Sequence, residues 1–99
     1  MDVTDDDGVR TVTFDRPEVK NAFTTESAAE LADHLVDLDP TALDAVVLTG
    51  DGDAFSAGGD VQAMAERDET PRAAYEMIQE TFGRLAETML TAPVPIVAR

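Results

Sequence analysis

The segment Ala45-Val46-Val47-Leu48-Thr49-Gly50 constrains the fold more than any other, because apolar and β-branched residues follow one another with no polar alternation. A short run of this kind, bounded by turn residues, reads as a strand buried on both faces, the type found inside parallel sheets. Parallel neighbours need a crossover connection. The sequence supplies one. Thr70-Pro71 has the form of a helix N-cap followed by the first helical residue. Tyr75, Ile78, Phe82, Leu85 and Met89 then recur at helical spacing as an apolar face. After Ala92-Pro93, the segment Val94-Pro95-Ile96-Val97-Ala98 begins another apolar strand. Strand, turn, helix and strand compose a βαβ crossover, so the class expected is α/β with parallel strands. The last residue, Arg99, follows that second strand directly. A buried parallel strand is a poor place for a domain to finish, and a truncated domain is the expectation.

Upstream, Gly8 opens Val9-Arg10-Thr11-Val12-Thr13-Phe14-Asp15, in which Val12 and Phe14 alternate with Thr11 and Thr13. That period of two predicts a half-buried strand, ended by Arg16-Pro17 because proline cannot donate to a ladder. Residues 1–8 read as an acidic leader. A helix is expected from Thr24 or Thr25, with Glu26 in its first turn. Ala28, Leu31, Ala32, Leu35 and Leu38 share one face, and Asp39-Pro40 stops it. His34, the lone histidine, lies at the edge of that face and reads as a partly solvated helix residue.

Composition excludes several functions. With 99 residues there is room for one small domain. The absence of cysteine removes disulfides, thiolate metal sites and a Cys nucleophile, and suits an intracellular protein. No segment approaches the roughly 20 apolar residues of a membrane span, and the acidic N-terminus is unlike a targeting peptide, so a cytoplasmic location is expected. Asp and Glu number 21 against 7 Lys plus Arg, a net charge of -14. Such a field repels nucleic acid and anionic membranes, so neither is an expected partner. Six of the seven cations are Arg and Lys20 is the only lysine, a balance that suits a folded protein in a high-salt cytoplasm where salt screens carboxylate repulsion.

The chemistry is concentrated in the turn after Gly50. Asp51-Gly52-Asp53-Ala54-Phe55-Ser56-Ala57-Gly58-Gly59-Asp60-Val61 leaves the C-terminal end of a buried strand and enters a short helical stretch expected from about Asp60 to Glu66. Ligand sites in α/β sheets lie outside the carboxyl ends of strands. N–H groups at Gly59 and just beyond would face outward near a helix start, a place for an anion or for an oxygen becoming one. A purely structural turn fits the same residues. Neither a phosphate loop nor GxGxxG is present, and the spacing of Asp51, Asp53 and Asp60 does not match a calcium loop, so no metal is expected. Ser56 has no His or Asp partner nearby in sequence and is not read as a nucleophile. Glu66, Glu69 and Glu76 lie on polar stretches and read as solvated.

Two segments carry a resemblance. Phe14-Asp15-Arg16-Pro17-Glu18-Val19-Lys20-Asn21-Ala22-Phe23 is similar to an N/D-R-P-x-x-x-N-A pattern, and Val46-Val47-Leu48-Thr49-Gly50 with Ala54-Phe55-Ser56-Ala57-Gly58-Gly59-Asp60-Val61 to V-V-L-T-G…A-F-x-A-G-x-D. In this order and spacing they resemble the enoyl-CoA hydratase/isomerase (crotonase) superfamily over essentially the whole chain, residues 1–99 corresponding to the N-terminal part of a crotonase-like domain. The resemblance implies a ββα superhelix, commonly in homotrimers or hexamers, and an acyl-CoA substrate whose coenzyme A belongs to the thioester rather than to a bound cofactor. It implies that two backbone N–H groups hold the thioester oxygen as an enolate forms, the first from Gly59. Ala22, Ala57, Gly58, Gly59, Asp60 and Val61 would line the thioester and pantetheine, Asp60 mainly holding the turn. Lys20 would reach a CoA phosphate, and Arg16 would anchor its own turn.

The same resemblance places the second oxyanion donor after the strand begun by Val94–Ala98, and the acid/base carboxylates later still. The chain alone is therefore expected to be inactive. Hydratase, isomerase, 3-hydroxyacyl-CoA hydrolase and naphthoyl-CoA synthase stay open within the family, and a non-catalytic CoA-binding or interaction fragment stays open beside them.

Overall fold

The structure, a computed structural model, describes residues 1–56, 58, 59 and 70–99. Its first element corrects the sequence reading. The presumed leader is a strand, β1 (Asp2–Asp6), paired antiparallel with β2 (Val9–Phe14) in the register Asp6↔Val9 to Asp2↔Thr13. Asp7 and Gly8 form the two-residue turn, at φ 52° and 80°. Positive φ at both central positions is the type I′ hairpin turn, whose twist matches the strands it joins. Aspartates are poor strand residues, but at a sheet edge exposed charge also discourages pairing with foreign strands. Only Val3 of β1 is partly buried, opposite Val12. Arg10 stands directly across from Asp5, donates to both its carboxylate oxygens at 2.8 Å, and reaches the His34 carbonyl at 3.1 Å. The hairpin is thereby tied to the helix that follows.

That helix, α1 (Thr25–Leu35), starts from Thr24, which accepts from the Ser27 N–H while Ser27 accepts from the Thr24 N–H. Such a reciprocal box satisfies two of the orphan donors of a helix start. Ala28, Leu31, Ala32 and Leu35 are buried as their spacing predicts. The helix ends before Asp39-Pro40, and Leu38 and Leu43 reach the core from the turn beyond it. β3 (Ala45–Gly50) then pairs parallel with β2, and β4 (Ile96–Ala98) parallel with β3. The mixed sheet runs β1-β2-β3-β4.

Between β3 and β4 lies α2 (Pro71–Leu90), capped by the Thr70 hydroxyl with Pro71 at the first position. The βαβ crossover is therefore present, and a first one runs from β2 through α1 to β3. Both helices share a face of the sheet and touch each other, with Arg84 of α2 donating to Asp33 of α1 at 2.9 Å. The core lies between α1 and the sheet, around Val12, Phe14, Leu31, Leu35, Val46, Leu48 and Val94.

Two burial expectations fail for one reason. β3 is not buried on both faces: Val46 and Leu48 are, while Val47 and Thr49 are half-buried. The molecule is a slab, 44 × 29 × 15 Å across its Cα atoms, and among the described residues both helices lie on one side of the sheet. In α2, none of the twenty residues is buried, and Tyr75, Ile78 and Met89 of the expected inner face are 60%, 38% and 36% exposed. Only Leu85 of that stripe packs against the core cluster.

Candidate functional site

The β2 and β3 strands end side by side, Phe14 opposite Gly50, and the two loops leaving them are stitched together. Asn21 does most of the stitching. It is 2% exposed, and its side chain accepts from the Arg16 N–H at 2.9 Å while its amide donates to the Asp51 and Ala54 carbonyls at 2.9 and 2.7 Å. All three partners are main-chain groups, and with them this buried polar side chain is satisfied. Gly50 permits the approach: a Cβ there would lie 2.5 Å from the Phe55 carbonyl and 2.7 Å from the Asn21 amide, and would collide with the Ala54 carbonyl as well. Lys20 and Asn21 both take φ near +55°, a conformation asparagine tolerates better than most side chains. Arg16 anchors this turn as expected, donating to the Ala22 carbonyl at 2.8 Å. Beneath the stitching, Phe14 meets Phe23 and Phe55 edge-on, with ring centres 4.9 and 5.2 Å away.

The glycine turn is held from the same side. Ser56 donates from its hydroxyl to the Asn21 carbonyl at 2.8 Å and accepts from the Gly58 N–H at 3.1 Å. The Gly58 carbonyl in turn accepts from the Phe23 N–H at 2.6 Å, in a parallel bridge that pairs Phe23 with Gly59. Among the described residues there is no cis peptide bond. In a trans peptide the C=O and the following N–H point in opposite directions. With the Gly58 carbonyl fixed on Phe23, the Gly59 N–H must face away from it. Gly59 is exposed, and above Gly58, at φ 88°, a Cβ would meet nothing within 4 Å. The Gly59 N–H is thus turned away from the Phe23 loop at an exposed residue.

Of the other expected site residues, Ala57, Asp60 and Val61 lie outside the described residues, as does the helical stretch expected over 60–66. Ala22 is buried beside Asn21 at the start of the loop that leads to α1. Lys20 projects at the surface, its side chain 58% exposed, and its ammonium lies 2.7 and 2.8 Å from the two carboxylate oxygens of Asp53. That hydrogen bond, reinforced by the lysine charge, holds the Asp53 carboxyl below the ordinary aspartate range. Ser56 directs its hydrogen at a main-chain carbonyl, the Asn21 oxygen, rather than at a base among the described residues. The sequence named Asn21 only as part of a motif and dismissed Ser56, so their fastening role was missed. Its one available signal was an asparagine placed just where a tight turn needs a positive φ.

The family model for enoyl-CoA hydratase/isomerase matches residues 4–99. The chain belongs to the enoyl-CoA hydratase/isomerase family. A structure of a Streptomyces coelicolor A3(2) protein described as an enoyl-CoA hydratase superposes with a TM-score of 0.83 at 34% identity, over 98% of this chain and 36% of that one. An enoyl-CoA hydratase of Mycobacterium marinum superposes with a TM-score of 0.79 at 32% identity, over 98% of this chain and 46% of its own. The small ribosomal subunit protein mS47 of Schizosaccharomyces pombe is 34% identical over 95 residues, which are 92% of this chain and 22% of that protein. The chain thus spans a fifth to a half of the length of these relatives. In that family the fold is the crotonase fold, and the four strands and two helices described above are a portion of it. No helix among the described residues is long and apolar enough to cross a membrane.

Proposed function

We propose that the chain supplies the first half of an acyl-CoA thioester site, in which the Gly59 N–H donates to the thioester oxygen. The observation that carries this reading is the Gly58–Gly59 peptide, whose carbonyl is spent on Phe23 and whose N–H therefore faces away from it. A fixed donor binds an oxygen more strongly as it gains charge, so it favours an enolate over the ground-state carbonyl. Coenzyme A enters as part of the substrate. A CoA phosphate would compete with Asp53 for Lys20, since it offers a charge-assisted bond with more negative charge behind it.

In this reading the second donor and the acid/base carboxylates belong to sequence outside these 99 residues, so the chain binds thioesters without turning them over. The reaction of a longer form would be hydration or isomerisation of the fatty acid β-oxidation type, with 3-hydroxyacyl-CoA hydrolysis or naphthoyl-CoA synthesis as alternatives, in a homotrimer or hexamer. The mS47 relative favours a second reading, a non-catalytic interaction role. At a net charge of -14, the partner in that case would be protein rather than RNA.

A chromophoric thioester, 4-dimethylaminocinnamoyl-CoA, tests the first reading, because its absorption moves to the red when the carbonyl is polarised. The expected result is a red shift with the wild-type chain that Gly59→Pro abolishes, the far-UV circular dichroism being unchanged. A bound thioester with the same red shift in Gly59→Pro would overturn the assignment.

A further inference from the structure

The Gly59 donor is useful only if its peptide plane is fixed before the thioester arrives, since any reorientation at the moment of charge development lowers its value. The plane is set by the two dihedrals of Gly58, and glycine alone would leave both of them loose. Each side of Gly58 is instead fastened by a separate bond. On one side its N–H donates to the Ser56 hydroxyl at 3.1 Å. On the other its carbonyl accepts from the Phe23 N–H at 2.6 Å. The Ser56 hydroxyl has no freedom of its own, because its hydrogen is committed to the Asn21 carbonyl at 2.8 Å. Asn21 is in turn held by three side-chain bonds to Arg16, Asp51 and Ala54, and it is buried.

We infer that Ser56 is a positioning residue for the thioester site, its hydroxyl linking Asn21 to Gly58 so that the Gly59 N–H is held at one orientation. The inference rests on the reading of Gly59 as the thioester donor. Ser56 itself touches no substrate, and its hydroxyl has no remaining hydrogen to give. Its contribution lies in the orientation of a peptide two bonds removed. Phe23 fixes the same peptide through its backbone, which no side-chain change removes. Ser56 is therefore the point at which the arrangement can be loosened.

The test compares wild type, Ser56→Ala and Ser56→Thr, the last keeping the hydroxyl. Three quantities are read: the red shift of bound 4-dimethylaminocinnamoyl-CoA, the affinity for that thioester, and the affinity for coenzyme A alone. The expected result for Ser56→Ala is a red shift cut by half or more. Thioester affinity should fall by about 2- to 10-fold, the worth of one neutral hydrogen bond, with coenzyme A affinity unchanged. Ser56→Thr should restore the red shift. A purely structural serine would lower the melting temperature of Ser56→Ala and leave the red shift of bound thioester as in wild type, which overturns the inference. Absence of a red shift in wild type itself would instead sink the Gly59 reading on which it stands. Amide exchange in the wild-type chain gives an independent check should Ser56→Ala fail to fold. Protection of the Gly58 N–H supports the clasp, and exchange at the rate of an unpartnered amide refutes it.

Discussion

The two crossover helices have similar amphipathic patterns and opposite fates. α1 buries Ala28, Leu31, Ala32 and Leu35 against the sheet, whereas α2, nearly twice as long, buries no residue. Both have a threonine N-cap bonded to the third residue of the helix, at Thr24 and Thr70. What differs is the cover. α1 lies over β2 and β3, with core residues from both strands beneath it, while α2 leans mainly on α1 through an exposed Arg84–Asp33 pair and the contact of Leu85 with the core. Periodicity states which residues share a face. It does not state what that face will meet.

The sharpest way to break this comparison is a matched pair of truncations. Leu35→Ala removes a fully buried side chain, and a loss of about 2 to 5 kcal/mol is expected in chemical denaturation. Ile78→Ala, at a position 38% exposed, should cost under about 1 kcal/mol. Equal losses would mean that α2 has a buried partner the described residues do not include.

Salt offers a second separation. With a net charge of -14, self-repulsion is screened at 1 M salt over about 3 Å and hardly at all in its absence. Lowering salt should therefore strip amide protection from α2 before it touches β2, α1 and β3. A chain equally protected throughout without salt would contradict both this order and the high-salt reading of its composition.

Smaller effects sharpen the same contrast. Thr24→Ala should cost about 1 kcal/mol and lower the melting temperature of the whole chain, because α1 is part of the core. Thr70→Ala removes the same kind of bond, yet its effect should be confined to amide exchange in the first turns of α2. The smallest effect is electrostatic. Lys20 lowers the Asp53 carboxyl, so the ion pair stabilises at pH above the ordinary aspartate value and is lost as pH falls through the depressed one. Carboxyl NMR titration should place Asp53 below 3.8 in wild type and return it toward that value in Lys20→Met. An unmoved Asp53 would sever Lys20 from the glycine turn.

The legible parts of the fold were those with local causes. The β3 run, the Thr70-Pro71 start and the α1 face follow from propensity and period, and the family from two motifs in order. The hairpin was also encoded, in Asp7-Gly8, but four aspartates over positions 2–7 gave those residues the look of a solvated tail. The Asn21 and Ser56 bonds were hidden for a different reason. The Asn21–Ala54 and Ser56–Asn21 bonds join residues 33 and 35 positions apart, and a small polar side chain in a loop carries no sign of so distant a partner. At the site, Gly59 could be nominated from the turn, whereas the direction of its N–H depended on Phe23, a contact between separate loops.

The central claim concerns one amide. In a proton–nitrogen correlation spectrum of the labelled chain titrated with crotonyl-CoA, the Gly59 amide proton should move downfield and stay in place with coenzyme A alone. Saturable binding of crotonyl-CoA that leaves the Gly59 amide where it was would contradict the account.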